Sequence, residues 1–369
     1  MKRIAIIGAN EFQNPLILKA KEMGFETHVF AWEAGDVGER TADFFHPISI
    51  VEIDQIFKVC QDLDVDAVAS IGSDLAVLTV NSIARRLGLP CNDEETDLVS
   101  TNKYMMRNAF DAAGLPTPRF TRIKGGESVS DLDGFVYPLI VKPTDRSGSR
   151  GIFKINDPAE LNNAITAACA QSFSHTAIVE EFIDGPEYSC ECISWNGNHK
   201  VLAFTKKYTT GAPHFIETGH REPSDIPESM QPALEQEVYK ALDALNIRWG
   251  AAHVEFRLSR EGQLRLIEIG ARMGGDCIGS DLVYISTGYD FLRMVIDVSQ
   301  GKEPDFRSYK EPENAEVRFA FTNQEAQLLI QEAKDHPERV WRLSEMATES
   351  TGVTDSSTRL GFCIFHDKG

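Results

Sequence analysis

Ala251-Ala-His-Val-Glu-Phe-Arg-Leu-Ser-Arg-Glu-Gly-Gln-Leu-Arg-Leu-Ile-Glu-Ile-Gly270 reads as two apolar strands around a polar turn at Glu261-Gly262. A two-residue turn there places Phe256 opposite Ile267 and Val254 opposite Ile269, which makes one apolar face. The same register sets Glu255 opposite Glu268 on the other face. A slip of one residue would scatter the apolar pairs, so the hydrophobic pattern fixes the register. Like charges directly opposed in a sheet repel. Two carboxylates held this close call for a proton or a cation, and Mg²⁺ is a hard ion that binds carboxylate and phosphate oxygens together. The plainer alternative is a pair of solvated surface glutamates, each beside its own Lys or Arg.

The neighbouring segments carry chemistry suited to phosphate. Directly after Glu268 come Arg272 and the pair Gly274-Gly275, a guanidinium and backbone donors of the kind that neutralise transferring phosphoryl charge. Upstream, the apolar strand Phe135–Lys142 runs into the loop Lys142-Pro-Thr-Asp-Arg-Ser-Gly-Ser-Arg-Gly151. Its glycines let backbone N–H groups approach a phosphate and its serines add donors. It is not a Walker-type loop, because G-x-x-x-x-G-K-[ST] is absent; a mobile hairpin loop is the alternative. In Ile178-Val-Glu-Glu-Phe-Ile-Asp-Gly-Pro-Glu187 an apolar strand end suits a flat purine, and an acid a few residues on suits ribose hydroxyls. Glu217-Thr-Gly-His-Arg-Glu-Pro223 adds a histidine that on its own reads as structural.

Before this region, strands at Arg3–Gly8, Thr27–Ala31 and Ala67–Ile71 alternate with helices at Pro15–Met23, Ile53–Leu63 and Leu75–Leu87, which predicts a parallel α/β sheet. Gly8-Ala9-Asn10 lacks the later glycines of G-x-G-x-x-G, so it reads as a crossover turn rather than a dinucleotide site. A helix at Asn102–Ala113 and an α+β unit follow, and strands dominate after Gly185. The predicted organisation is therefore residues 1–100, 101–185 and 186–369. The 369 residues are 42% hydrophobic and carry 37 basic against 56 acidic side chains, a net charge of −19. That balance opposes binding to nucleic acid or to anionic lipid. Seven scattered cysteines without a C-x-x-C pair argue against zinc and for thiols in a reducing, cytoplasmic setting.

In this order the motifs resemble the ATP-grasp carboxylate–amine ligase superfamily. They are Asn102-Lys103, Ile140-Val-Lys-Pro143 with the Ser/Gly loop, Val179-Glu-Glu-Phe-Ile-Asp-Gly-Pro-Glu187, His253-Val-Glu255 and Glu268-Ile-Gly-Ala-Arg272. Phe215-Ile-Glu-Thr-Gly-His-Arg-Glu-Pro-Ser224 and Arg272-Met-Gly-Gly-Asp276 are similar to the dipeptide-forming L-amino-acid ligase branch. The resemblance implies an N-terminal parallel α/β domain, a small central α+β lid and a C-terminal antiparallel α+β domain. It implies an ADP-forming ligase that activates a carboxylate as an acyl-phosphate and couples it to an amine, with an amino acid as one substrate. ATP and Mg²⁺, or Mn²⁺ in its place, are the implied cofactors, and a homodimer the candidate assembly. Lys103, Lys142, Ser147, Gly148 and Ser149 would contact phosphates. Glu180, Glu181, Phe182 and Ile183 would line the adenine and Glu187 the ribose. Glu255 and Glu268 would ligate the metal. Arg272 and Lys142 would be catalytic, and Glu217, His220, Arg272, Gly274 and Gly275 would meet substrate. One departure stands out. Gly270 occupies the position where the family usually carries a metal-binding Asn, which leaves a catalytically weakened ATP-binding regulatory or scaffold protein as the alternative.

Overall fold

The computed structural model describes residues 1–127, 129, 132–212, 215–347 and 355–368. Its strands form three sheets. The first is parallel, with β1 (Arg3–Ile7), β2 (Glu26–Phe30), β3 (Phe44–His46) and β4 (Ala67–Ala69) in the order β3-β2-β1-β4. Alternate residues of β1 enter opposite cores. Ile4 and Ile6 pack with Leu16 and Ile17, while Ala5 and Ile7 pack with Ile56 and Ile83. Burial on both faces is why these strands read as unbroken apolar runs. Gln13 folds back into the turn after β1, where its side-chain amide donates to the Ile71 carbonyl and accepts from the Ile71 N–H. A Cβ on Gly8 would lie 2.9 Å from Gln13 Cγ, so this turn is packed by the protein itself.

The second sheet is antiparallel: β5 (Phe120–Lys124), β6 (Leu139–Pro143), β7 (Phe153–Ile155) and β8 (Thr176–Glu181), in the order β5-β8-β6-β7. The helix Leu161–Gln171 covers it through Leu161, Ala164, Ile165 and Ala168. The third sheet has eight strands, ordered β13-β12-β9-β10-β11-β14-β16-β15. These are β9 (Glu187–Trp195), β10 (Asn198–Thr209), β11 (Glu217–Glu222), β12 (Gly250–Leu258), β13 (Leu264–Gly270), β14 (Asn314–Ala320), β15 (Val340–Leu343) and β16 (Gly361–Asp367). Helices Gln231–Ala244 and Lys103–Ala112 pack beneath it against Val254, Phe256 and Phe204, and Phe291–Ser299 packs on the opposite face against Ile193 and Leu202. Cys190 and Cys192 point to one face with their sulfurs 3.9 Å apart, and all seven cysteines are thiols. A parallel α/β unit, a small antiparallel lid and a large antiparallel sheet are thus present as expected. No described helix is long and apolar enough to cross a membrane.

Candidate active site

The β12–β13 hairpin sets the geometry. Glu255 faces Glu268 and Val254 faces Ile269, as the hydrophobic pattern predicts. Nearer the turn the register differs. Arg260, Glu261 and Gly262 form a three-residue loop, with the Ser259 N–H donating to the Gln263 carbonyl at 2.9 Å and Gly262 at φ +75°. That loop pairs Phe256 with Leu266 instead of Ile267, and a bulge at Ile267 restores the offset before Glu268. A bulge turns two successive side chains to one side of the strand. Ile267 and Glu268 consequently both line the same cavity.

That cavity lies between the second and third sheets. Lys103, Lys142, Ser147, Gly148, Ser149, Glu180, Glu181, Phe182, Ile183, Glu187, Glu217, Glu255, Glu268 and Arg272 all line it. Each carboxylate of the facing pair has a lysine. Lys103 Nζ lies 2.7 Å from Glu268 Oε1 and donates to the Arg146 carbonyl at 2.8 Å. Lys207 Nζ lies 2.7 Å from Glu255 Oε1, 3.6 Å from Glu187 Oε1 and 3.8 Å from Glu217 Oε1. Burial alone would lower the Lys207 ammonium, but these carboxylates raise it above the ordinary lysine range. The two glutamates are therefore mostly buried, at 23% and 24% side-chain exposure, and each is paired with a lysine. They share a recess in which lysines balance their charge.

A second chain of contacts supports Glu255 from behind. Glu191 is fully buried and its Oε1 lies 2.5 Å from His253 Nδ1. His253 Nε2 lies 3.1 Å from Glu255 Oε1, and the Gly274 N–H donates to Glu191 Oε2 at 2.8 Å. Burial would raise the Glu255 carboxyl, yet Lys207 and His253 hold it well below the usual range. At the nucleoside end, Glu180 is pinned between Arg107 Nε at 2.9 Å and Lys142 Nζ at 2.6 Å. Glu187 pairs with Arg257 at 2.8 Å, and Arg257 also donates to the Ile183 carbonyl at 3.0 Å. The Glu181 and Phe182 N–H groups are bonded to the Arg119 and Pro138 carbonyls. The Ser/Gly loop closes over the cavity, with Ser149 Oγ donating to the Phe215 carbonyl at 3.1 Å.

Three expected substrate residues are set back. His220 is 1% exposed, edge-on to Phe319 and 3.6 Å from Asp276; it does not line the cavity. Gly274 is likewise absent from the wall, and its missing side chain has a packing cause: a Cβ there would press on Glu191 Oε1 and on His253 Nδ1 at 2.7 Å. Gly275 abuts Gly72 of the first unit instead of the cavity.

Residues 135–281, which include the lid sheet, the Ser/Gly loop and both facing glutamates, match the ATP-grasp domain family. Over that stretch the chain is similar to an ATP-grasp domain. Similar proteins include the alanine–anticapsin ligase of Bacillus subtilis, 28% identical over 307 residues that cover 73% of this chain and 64% of that protein. The D-alanine–D-alanine ligase B of Chromobacterium violaceum is 27% identical over 205 residues, 53% of this chain and 66% of that one. The chain therefore spans about two thirds of the length of these curated relatives. The crystal structure of an L-amino acid ligase from Bacillus licheniformis superposes with a TM-score of 0.83 at 25% identity, covering 100% of this chain and 94% of that one.

Among the described residues, no group of three or more His, Cys, Asp or Glu side chains is arranged to hold a metal. The facing pair offers two carboxylates and leaves other positions to other oxygens. This donor set suits Mg²⁺, which binds through one or two carboxylates plus substrate phosphates.

Behind the site, Glu222 of β11 is fully buried, accepting from Thr205 Oγ1 and Ser286 Oγ at 2.7 Å each. Burial pushes its carboxyl up to about 8, with the two hydroxyls opposing only in part. The native state then keeps a proton that the unfolded chain releases near its ordinary value of 4.5. Stability should fall as pH rises from there to about 8 and level off above it. Glu222→Gln should flatten that slope and raise stability at pH 8 by about 2 kcal/mol, read from urea midpoints at pH 5 and pH 8.

Proposed function

We propose that this protein is an ADP-forming ligase that joins a carboxylate to an amine, with an amino acid as one substrate. The observation that carries this reading is Glu255 facing Glu268 in a cavity also lined by Lys103, Lys142, Arg272 and the Ser/Gly loop. Glu255 and Glu268 would hold Mg²⁺, which supplies positive charge to phosphate oxygens when bound. Lys103 and Lys207, each bonded to one of those glutamates, would then be free to donate to phosphate oxygens. Lys142 and Ser147–Ser149 would hold the phosphates from the lid side. Phe182 and Ile183 would flank the base, with Glu180 at its edge and Glu187 toward the ribose. Gly274, Gly275 and His220 would act through the packing they permit rather than by touching substrate.

The chemistry follows from charge. A carboxylate is a poor electrophile, with a poor leaving group. Its oxygen would take the γ-phosphoryl group as ADP departs. The amine would then add to the acyl carbon, phosphate would leave, and the nitrogen would lose a proton. Arg272 would face the negative charge in both steps. The loop seated on Phe215 would exclude water that could hydrolyse the acyl-phosphate. The sheet boundaries support units divided near residues 100 and 185, with the cavity between the second and third. Incubation with ATP, Mg²⁺ and an amino-acid library should release phosphate with at least one amino acid. Silence across a broad library, with nucleotide bound, would count against the reading.

A further inference from the structure

The geometry points to Asp74, on the N-terminal unit, as the positioning residue for Arg272, its carboxylate filling space that a side chain at position 270 would take. This rests on the proposed role of Arg272 at the transferring phosphoryl group.

Asp74 Oδ1 lies 2.7 Å from Arg272 Nε, and Asp74 Oδ2 lies 3.3 Å from Nη2. Nη1 donates to the Met273 carbonyl at 3.3 Å. A carboxylate on the Nε edge fixes the plane of a guanidinium and leaves its outer edge for a second anion. Gly270 makes this grip possible. An ideal Cβ at 270 would lie 3.0 Å from Asp74 Oδ1 and 3.1 Å from Arg272 Nε. Any side chain there would push the pair apart. A side chain at 270 and the Asp74 carboxylate therefore compete for one volume.

The carboxylate comes from a well-anchored turn. Ser73 caps the helix Asp74–Leu87 by accepting from the Ala76 N–H at 3.2 Å. One residue earlier, the Gly72 N–H donates to the Met273 carbonyl at 3.2 Å. A single turn after β4 thus touches residues 272 and 273 at two points. Asp74 also lines a second cavity with Lys103, Arg146 and Glu268, which borders the first through Lys103 and Glu268. Burial would raise its carboxyl, but Arg272 and then Lys103 hold it below the ordinary range. The pair is mostly shielded from solvent, at 16% and 19% side-chain exposure. Its consequence is orientation: docking of the N-terminal unit sets the direction of Arg272.

The test compares wild type, Asp74→Asn and Gly270→Ala by calorimetric titration with Mg·ADP, alone and with aluminium fluoride as a mimic of the phosphoryl group in transfer. Wild type should bind tighter with aluminium fluoride. Asp74→Asn should keep its Mg·ADP affinity within about twofold and lose about tenfold in the aluminium-fluoride complex. Gly270→Ala should lose a similar amount with Asp74 intact. Asp74→Asn retaining the full fluoride gain would overturn the proposal, as would equal weakening of both complexes, the mark of a merely structural residue. Wild type that binds no Mg·ADP would instead overturn the functional reading, and this proposal with it.

Discussion

Glu268→Gln should lower ATP-dependent phosphate release by at least about 10³-fold and leave nucleotide binding measurable. Gln preserves the shape of the side chain and an oxygen that can still accept from Lys103, now 2.7 Å from Glu268 Oε1. What it removes is one of two negative charges facing each other across the hairpin. Among the described residues no third His, Cys, Asp or Glu side chain is grouped with these two to hold a metal, so the protein cannot make up that loss. ADP affinity measured in EDTA should stay within about threefold of wild type, because base and ribose contacts are untouched. The extra affinity conferred by Mg²⁺ should disappear. A rate unchanged by the substitution would remove Glu268 from the metal site. Loss of ADP affinity without Mg²⁺ would mean that Glu268 acts mainly by holding Lys103.

Much of this site can be read from one hairpin because burial on one face of a two-stranded ribbon specifies register. Val254 and Ile269 had to share a core, and Glu255 and Glu268 followed. The error lay where turn chemistry, not hydrophobicity, decides. Ser259–Gln263 closes a longer loop than Glu261-Gly262 suggests, and the resulting one-residue offset is absorbed at Ile267. Leu266 and Ile267 are both aliphatic, so composition does not say which enters the core.

Other features left weaker traces. β11 holds Glu217, His220, Arg221 and Glu222, a run without apolar alternation, yet it pairs β10 on one side and β14 on the other. An interior strand rich in charged residues is intelligible only once its partners are known: Lys207 for Glu217, Thr205 and Ser286 for Glu222. Lys207 itself sits in the run Thr205-Lys-Lys207 with nothing to distinguish it from its neighbour, although three carboxylates converge on it. Asp74 and Arg272 are far apart in sequence, and no periodicity connects them. Gly274 shows the reverse difficulty. A Gly-Gly pair after an arginine suits phosphate contact as well as it suits close packing, and here Glu191 and His253 occupy the space.

Glu180→Gln should destabilise the protein by about 3–5 kcal/mol at pH 7, because it leaves two buried cations without their counter-charge. Arg107 is 1% exposed and Lys142 5%, and both converge on the one carboxylate. Arg107 Nη1 is already buried without a hydrogen-bond partner, so the guanidinium has little else to lean on. Burial would raise the Glu180 carboxyl, but Arg107 and Lys142 outweigh it and hold the group at about 2. A depressed carboxyl stabilises the fold fully above its unfolded value near 4.5, and that contribution is lost as pH falls through the native value of about 2. Wild type should therefore lose stability across that acid window more steeply than Glu180→Gln, which has no carboxylate there to protonate. Urea midpoints at pH 7 and at pH 3 measure both effects. Adding Arg107→Met should recover more than half of the loss, since it removes one stranded charge and fills its volume with apolar atoms. If Glu180→Gln unfolded at the wild-type urea concentration at pH 7, the carboxylate would not be what holds Lys142 at the edge of the cavity, and the assignment of that wall to nucleotide would lose its physical basis.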